Sequence, residues 1–417
     1  MRSFTPKRAG SAAPAPGHDE PESAPFGWTL AAFTLTAVLV SGQLYVVIPL
    51  LPDMAAGWGA GPNTLTWLVT AFGVGYGVGF LVFGPLSDRF GRRRLLMLGL
   101  PLAAVSTALV AASPSPEIAL VARVLQGLMV ATFPPAALAY IAERIEPRRR
   151  VVAISAVTGA FLASALLMQV AAQLLVGATG WRGPFLLSAA GLALAALGLR
   201  AVMLPDPERP LTAGRGEASG SPAKRSWRLL AAYHAMPALL RDRTLLLRYA
   251  ATIVLMTGFV ALYTGLQIYG VTPSSGELLA LRAAGLPAMV LVPLLMPWLG
   301  RIAPTIRAGA MLAAGALALA AIGLTDAAAL GLVLLVAAYA AAITGGLPSL
   351  NEAVSARAGR ARGTALALFS FALAVGGSVG PQVAAAFGAF TPLMYGLAIA
   401  MGLSALAVWV SGRGTST

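Results

Sequence analysis

The residues Gly84-Pro-Leu-Ser-Asp-Arg-Phe-Gly-Arg-Arg-Arg94 separate two long apolar runs, at 64–86 and 94–113. Each run is close to the ~20 residues that an α-helix needs to cross the apolar part of a bilayer. The residues between them are rich in arginine, which is typical of cytoplasmic loops in membrane proteins. The stretch therefore predicts two membrane-spanning helices joined by a short basic loop on the cytoplasmic side.

The same alternation of apolar runs and short polar connections continues along the chain. The chain is 58% hydrophobic and 11% charged, with a mean hydropathy of +0.80. A soluble domain carries about 25% charged residues, so water is not the expected surroundings of this chain. The sequence predicts an all-α polytopic membrane protein with twelve spans, at 28–51, 64–86, 94–113, 117–140, 151–177, 183–204, 244–270, 276–299, 306–325, 328–350, 361–388 and 391–411.

The distribution of basic residues predicts the topology. The net charge is +14, and its arginines concentrate in alternate connections, which places those connections and both termini in the cytoplasm. Pro85 and Arg89 of the first half recur in the second half as Pro297 and Arg301, each with the same separation in sequence. This repeat suggests two matched halves. The predicted parts are a tail, a six-helix bundle, a polar linker, a second six-helix bundle and a short tail, at 1–26, 27–204, 205–243, 244–412 and 413–417.

The basic loop carries the resemblance to a known family. It resembles the signature loop of the major facilitator superfamily in Gly84, Asp88, Arg89, Gly91, Arg92 and Arg93. Glycine at the first position would let helices approach closely, the aspartate could cap the next helix and pair with arginine, and the second glycine would supply the turn. The resemblance implies that the loop latches two six-helix bundles in the outward-facing state. The alternative is that the loop arginines only anchor the cytoplasmic side.

A second motif, Arg123-Val-Leu-Gln-Gly127, lies in the fourth span. It is similar to the Arg-x-x-Gln-Gly element of the superfamily's drug:proton antiporters. Arg123 is predicted ~9 Å along the helix, where a cation faces a cavity or a partner, or snorkels to the interface. Gln126 is predicted to hydrogen-bond on the same side. Asp53 is the nearest candidate partner for Arg123, unless it only ends the first span.

Further polar residues inside the spans predict a solute cavity. Tyr263 and Gln267 are four residues apart and share one helix face. With them we predict Gln43, Tyr45 and Gln382 as cavity residues, although such residues often serve only as contacts between helices. Arg282, in the eighth span, could attract an anionic group, pair with Glu277 or snorkel.

The residue inventory limits the energy source and the cofactors. All fifteen acidic residues fall in loops, tails or span ends, so proton coupling is implied by the resemblance and not by the residues. The only lysines, Lys7 and Lys224, do not follow glycine, so a phosphate-binding loop for ATP is not expected. The chain has no cysteine and two histidines in polar stretches, and we therefore predict no metal, no cofactor and no nucleic-acid partner.

The function predicted from these observations is secondary transport. We expect a monomer in a bacterial cytoplasmic membrane that exports a small organic solute by alternating access, with protons as coupling ions and the lipid bilayer as its surroundings. The fifth span lacks the Gly-Pro pair that the antiporters carry, which departs from that pattern. The alternatives are an importer or facilitated-diffusion carrier of a small metabolite, or a receptor without transport. An enzyme is not predicted.

Overall fold

Every regular element in the described part of the chain is helical. The structure is a computed structural model, and it describes residues 24–206, 236–272, 274–324 and 329–413. The predicted tails and most of the predicted linker lie outside these residues. Eleven described stretches are long and apolar enough to cross a membrane, and the shorter apolar helix Phe26–Gly42 begins the first predicted span. The predicted fold class, an all-α membrane protein with twelve spans, is confirmed.

Each predicted span coincides with one helix or with two consecutive helices, and we number the spans 1 to 12. Spans 1 to 6 are formed by Phe26–Gly42 with Leu51–Trp58, Trp67–Phe90, Arg92–Ala112, Pro116–Val130 with Phe133–Arg144, Pro147–Thr179 and Arg182–Val202. Spans 7 to 12 are formed by Arg243–Ile268, Ser275–Ala283 with Leu286–Leu299, Pro304–Leu324, Ala329–Ala358, Arg362–Ala386 and Phe390–Arg413. A short helix, Pro62–Leu65, leads into span 2, and the 3-10 helices Ile48–Leu50 and Gly359–Ala361 lie in span 1 and before span 11.

Spans 1, 4 and 8 are broken, and in each the chain resumes its helix at a proline. Pro49, Pro134 and Pro287 each lie in the first turn of the element that follows the break. Proline has no N–H and its ring clashes with the carbonyl four residues earlier, so the first turn of a helix tolerates it best. The continuous helices predicted at 28–51, 117–140 and 276–299 are therefore wrong at these three points.

Spans 2 and 4 touch backbone to backbone. A Cβ atom on Gly75 would lie 2.1 Å from the carbonyl oxygen of Val124, and one on Gly127 would lie 2.0 Å from that of Phe72. Only glycine permits so close an approach between two helices. The contact fixes the part of span 4 that carries Arg123 against span 2.

The spans run alternately between two ends of the molecule. Odd-numbered spans begin at one end, which we call the basic end. They finish at the other end, which we call the sparsely charged end. Span 2 packs against span 4 of the first half and also against span 11, which itself packs against span 7. The contact between spans 2 and 11 therefore joins the two halves of the molecule.

Candidate functional site

A fully buried guanidinium lies in the first half of the molecule. Arg123 is 0% exposed, and its Nε donates to the carbonyl of Leu68 at 3.0 Å. Its Nη1 donates to the carbonyl of Gln43 at 2.9 Å and to Oε1 of Gln126 at 2.7 Å. The guanidinium carbon lies 4.5 Å from the centre of the Phe72 ring. Spans 1, 2 and 4 thus meet on one cation, in a cation–π and hydrogen-bonded setting.

Two amides and a hydroxyl complete the Arg123 network, which we define as Arg123, Gln126, Gln43 and Thr107. The Gln126 amide donates to Oε1 of Gln43 at 3.0 Å and to the hydroxyl of Thr107 at 2.8 Å. The break after Gly42 explains why the carbonyl of Gln43 is within reach. In an unbroken helix that carbonyl would accept from a backbone N–H four residues later, whereas here Arg123 donates to it.

The hypothesis of an ion pair between Asp53 and Arg123 is wrong for this structure. Asp53 is exposed in the first turn of the helix Leu51–Trp58, where a carboxylate interacts favourably with the helix dipole. Among the described residues, the salt bridges do not include Arg123, whose partners are carbonyl and amide oxygens. The break in span 1 turned a backbone carbonyl toward the cation and left the carboxylate at the surface.

A second buried guanidinium lies in the other half. Arg282 is 1% exposed and donates to the side-chain oxygen of Gln267, while its Nε has no hydrogen-bond partner among the described residues. Tyr263 interacts electrostatically with Arg282, and Tyr339 interacts electrostatically with Tyr263. We define Arg282, Gln267, Tyr263 and Tyr339 as the Arg282 cluster. Of the alternatives, snorkelling and pairing with Glu277 are both wrong, because the side chain is buried and its described partner is an amide.

A chain of aromatic rings connects the two halves near these groups. The rings of Tyr45 in span 1 and Phe259 in span 7 are 6.0 Å apart, and those of Phe259 and Tyr263 are 5.1 Å apart. Both pairs meet edge to face, the favourable geometry for aromatic side chains. Tyr45 and Tyr263 were predicted as cavity residues, and the structure brings them together through a ring that the sequence did not single out.

Spans 2 and 11 close the sparsely charged end between the halves. The hydroxyl of Thr70 donates to the carbonyl of Ser378 at 2.6 Å. The amide of Gln382 donates to the hydroxyls of Thr70 and Thr66 at 3.1 and 3.2 Å. The structure therefore places Gln382, one of the predicted cavity residues, in a contact that holds the two halves together.

Spans 5 and 8 make a second contact between the halves toward the same end. The amide of Gln173 donates to the carbonyl of Ser275 at 3.0 Å. Deeper in the membrane, a Cβ on Gly285 would lie 2.5 Å from a methyl carbon of Leu166 and 3.6 Å from the hydroxyl of Tyr263. Leu166 of the first half thus packs beside the Arg282 cluster of the second half.

The signature loop at the basic end is held within the first half. Gly91 has a φ of 95°, which a glycine adopts readily and which provides the predicted turn. Arg92 forms an ion pair with Glu143 at 2.8 Å, and Nη2 of Arg93 donates to the carbonyl of Arg200 at 3.2 Å. A Cβ on Gly84 would meet nothing within 4 Å, so the close helix approach predicted there is wrong.

The carboxylate that caps span 3 is that of Asp206, which the sequence analysis missed. Its two oxygens accept from the backbone N–H groups of Arg93 and Arg94, both at 3.1 Å. The cap was predicted for Asp88; the side chains of Asp88 and Arg89 lie outside the described residues. The available signal was the position of Asp206 between two prolines directly after span 6, but nothing in the sequence relates that position to span 3.

The side chains of the Arg123 network, the Arg282 cluster and the aromatic rings between them can bind and orient a solute through hydrogen bonds, positive charge and ring contacts.

The sequence analysis also missed Tyr339, although a tyrosine within an apolar run is the same signal that selected Tyr263. In the described part of the chain, no group of three or more histidine, aspartate or glutamate side chains is placed to hold a metal ion.

Comparison with known proteins places the chain in a family. Residues 33–381 match the family described as Major Facilitator Superfamily. The chain is 33% identical over 198 residues to the "Puromycin resistance protein pur8" of Streptomyces alboniger, which is 46% of this chain and 38% of that protein. It is 28% identical over 273 residues to the "Probable transporter SCO4007" of Streptomyces coelicolor, which is 64% of this chain and 59% of that protein.

A third relative has a name that includes export. The "Tetracenomycin C resistance and export protein" of Streptomyces glaucescens is 30% identical over 179 residues, which is 43% of this chain and 33% of that protein. In all three cases the match spans less than two thirds of the relative's own length. The family match, in contrast, runs from the first span to the eleventh. The chain belongs to the Major Facilitator Superfamily.

Proposed function

We propose that the protein is a secondary transporter that exports a small organic solute across a bacterial cytoplasmic membrane by alternating access. Membership of the superfamily supports membrane transport as the general function. The names of the relatives, which include resistance to puromycin and export of tetracenomycin C, support export of a drug-like molecule. Both termini and the basic end face the cytoplasm in this proposal, in keeping with the arginine-rich connections.

The single observation that carries the proposal is the closure between the halves at one end. Thr70, Ser378 and Gln382 join spans 2 and 11 near the sparsely charged end. The buried polar groups of Arg123 and Arg282 lie in spans 4 and 8. A transporter that alternates access needs such a contact to break when the binding region opens to the outside. The moving bodies would be the two bundles at 27–204 and 244–412.

The signature loop would act when the molecule opens to the outside. In this structure Arg92 pairs with Glu143 and the first turn of span 3 is capped by Asp206, so these contacts stay within the first half. We propose that Gly84, Asp88, Arg89, Gly91, Arg92 and Arg93 latch the two halves at the basic end in the outward-facing state. The family resemblance supports this role.

Proton coupling is proposed from the family resemblance. Asp53 is exposed close to the sparsely charged end, and Arg123 and Gln126 form a buried network with neutral partners. We propose Asp53 as the proton-binding group, with Arg123 responding through spans 1 and 4. An importer and a facilitated-diffusion carrier are the alternatives, and facilitated diffusion needs no acidic group in the membrane.

Cysteine labelling tests alternating access without knowledge of the solute. The chain has no cysteine, so every thiol is one that was introduced. A single cysteine at the half-buried Ser41, midway along span 1, should react with a membrane-impermeant reagent from the sparsely charged side only when that end opens. Joining Thr70→Cys to Gln382→Cys with a short reagent that forms a disulfide with each thiol should abolish this labelling, and reduction of the two disulfides should restore it.

The matched control joins two positions of the same half at the same end. The rings of Trp58 and Trp181 are 4.8 Å apart, so Trp58→Cys and Trp181→Cys can be joined in the same way. This link should leave the labelling of Ser41→Cys unchanged. Labelling that persists with the link between spans 2 and 11, or that never occurs from the sparsely charged side, would overturn alternating access.

Flux measurements then decide direction and coupling. Tetracenomycin C is the first solute to test in membrane vesicles, with puromycin, an amine, as the comparison and with a pH gradient of either sign. Proton-coupled export requires solute movement against its gradient that reverses with the pH gradient and stops with an uncoupler. Solute flux that does not depend on the pH gradient would favour facilitated diffusion.

A further inference from the structure

The Arg282 cluster contains a buried charge whose described partner is neutral. Arg282 donates to the side-chain oxygen of Gln267, and its Nε is buried without a hydrogen-bond partner. Among the described residues, no carboxylate lies within ion-pair distance of Arg282. Arg307 of the same half differs, because its buried guanidinium pairs with Glu352. A buried cation without a counter-charge attracts an anion, because it has lost its hydration shell.

The two phenol hydroxyls of this cluster are also without partners. The hydroxyls of Tyr263 and Tyr339 are buried and make no hydrogen bond, and the two residues are 1% and 0% exposed. Other tyrosines of the same half do not share this condition. Tyr249 donates to the carbonyl of Ala365 at 3.2 Å, and Tyr269 donates to that of Ala384 at 2.7 Å. A buried donor left unpaired is costly, and the rare cases point to an absent partner or a functional role.

The cluster lies where the two halves meet. A methyl carbon of Leu166, from span 5, packs against Gly285, which is also near the Tyr263 hydroxyl. The ring of Tyr263 continues through Phe259 to Tyr45 of span 1. Separation of the halves would therefore uncover Gly285, the Tyr263 hydroxyl near it and the ring of Phe259.

We infer that the Arg282 cluster binds the anionic oxygen of the transported solute, and that the solute is an organic anion with a planar apolar body. Nε of Arg282 and the hydroxyls of Tyr263 and Tyr339 are the donors for a carboxylate or phenolate. The rings of Tyr45, Phe259 and Tyr263 contact the apolar body. A cationic solute would be repelled by Arg282. This inference rests on the proposed transport function, because it names the class of solute.

Binding to the purified full-length protein tests the inference without any flux. The probes are 2-naphthoate and its uncharged isostere 2-naphthamide, measured by equilibrium dialysis in detergent. We expect the wild-type protein to bind the naphthoate at least tenfold more tightly than the amide. Arg282→Gln should weaken naphthoate binding at least tenfold and leave amide binding within about twofold, since it removes a charge-assisted donor. Equal affinity for the two probes in the wild-type protein overturns the inference.

Hydroxyl deletions distinguish ligand binding from a structural role. Tyr263→Phe and Tyr339→Phe remove only atoms that are unpaired in this structure, so both should fold as the wild-type protein does and bind the naphthoate three- to tenfold more weakly. Tyr269→Phe is the matched control, because it removes a hydroxyl that is hydrogen-bonded within the second half. It should lower thermal stability and leave the naphthoate affinity unchanged.

The outcomes separate this inference from the proposed function. If Tyr263→Phe and Tyr339→Phe bind the naphthoate as tightly as the wild-type protein does, the donors are wrong and the inference fails. If binding behaves as expected but the labelling of Ser41→Cys never alternates, the site stands and the transport proposal fails.

Discussion

The buried arginines Arg123 and Arg282 differ in how far the protein itself satisfies their hydrogen-bonding groups. Arg123 joins three spans through carbonyl and amide oxygens, and only its Nη2 lacks a partner among the described residues. The Arg282 cluster has one hydrogen bond between its members and leaves Nε of Arg282 and two tyrosine hydroxyls unpaired. Buried polar networks that are nearly complete stabilise one arrangement of helices, whereas incomplete ones are suited to binding a further group.

Each of the two arginines lies next to a helix break, and the two breaks have different effects. In span 1 the break after Gly42 leaves the carbonyl of Gln43 for Arg123. In span 8 the break at Ala284 and Gly285 follows Arg282 by one turn or less and lets span 5 pack close to it. The break in span 1 supplies a carbonyl acceptor to Arg123. The break in span 8 brings Arg282 to the interface between the halves.

The largest expected effect is on stability, and the same substitution at both arginines measures it. Arg123→Gln would remove hydrogen bonds to Leu68, Gln43 and Gln126, and a bond to a charged donor is worth roughly 1.5–3 kcal/mol. We expect Arg123→Gln to lower the free energy of unfolding by about 3 kcal/mol or more. Arg282→Gln should lower it by about 1 kcal/mol or less, because it removes one such bond and also a buried unpaired donor. Unfolding in mixed detergent micelles gives both values.

The comparison would be wrong if the two variants lost equal stability. Such a result would mean that the unpaired donors around Arg282 are satisfied within the protein after all, and that the cluster is structural. Arg123→Lys sharpens the test, because a lysine keeps the charge but cannot make the same three directed contacts. Arg123→Lys should recover less than half of the unfolding free energy that Arg123→Gln loses.

A smaller effect is expected at the basic end, where each half uses one carboxylate to cap a helix. Asp206 accepts from the backbone N–H groups of Arg93 and Arg94 at the start of span 3, and Asp242 accepts from those of Thr244 and Leu245 at the start of span 7. Asp206→Ala should cost about 1 kcal/mol, whereas Asp206→Asn should cost much less because asparagine also caps well. Unfolding measurements on the two variants test this order.

Hydrogen exchange identifies the residues responsible. Loss of the Asp206 cap should accelerate exchange at the amides of Arg93 and Arg94, with little change at those of Thr244 and Leu245. Acceleration at both helix starts would mean that the two caps do not act separately.

The sequence predicted the parts of this molecule that depend on lipid and on single residues. All twelve spans follow from apolar runs of the required length, and the buried position of Arg123 follows from a charge inside such a run. The breaks could not be predicted from proline alone. Pro101, Pro348 and Pro381 lie inside helices that continue, whereas Pro134 and Pro287 begin new ones.

Partners were predicted poorly because they depend on three-dimensional contacts between distant residues. The acceptor for Arg123 was sought among carboxylates, and the structure provides a carbonyl that a helix break has left within reach. Asp206 caps a helix that begins more than a hundred residues earlier, and a periodic pattern in the sequence cannot predict a contact between residues so far apart. Composition identifies which residues are costly to bury, and only the packing determines what satisfies them.

The smallest expected effect is a pH dependence at the cap of the second half. Burial alone would raise the pKa of Asp242, but hydrogen bonds from Arg357, Leu245 and Thr244 and the charge of Arg357 outweigh it and hold the pKa below its usual range. A carboxylate with a lowered pKa contributes stability that is fully present above its unfolded pKa and is lost as the pH falls through its folded pKa. The protein should therefore lose stability below about pH 4 through this group.

Two substitutions decide whether Asp242 causes that loss. Asp242→Asn should be slightly less stable at neutral pH, by about 1 kcal/mol or less, and should lose less stability in acid than the wild-type protein. Arg357→Gln removes the cation that lies 3.0 Å from the carboxylate, so the pKa of Asp242 should return toward its ordinary value and the acid-dependent loss should shrink. If neither variant changes the difference in unfolding free energy between pH 6 and pH 3, the cap of span 7 does not depend on the charge of Asp242, and the two halves hold their helix starts in physically different ways.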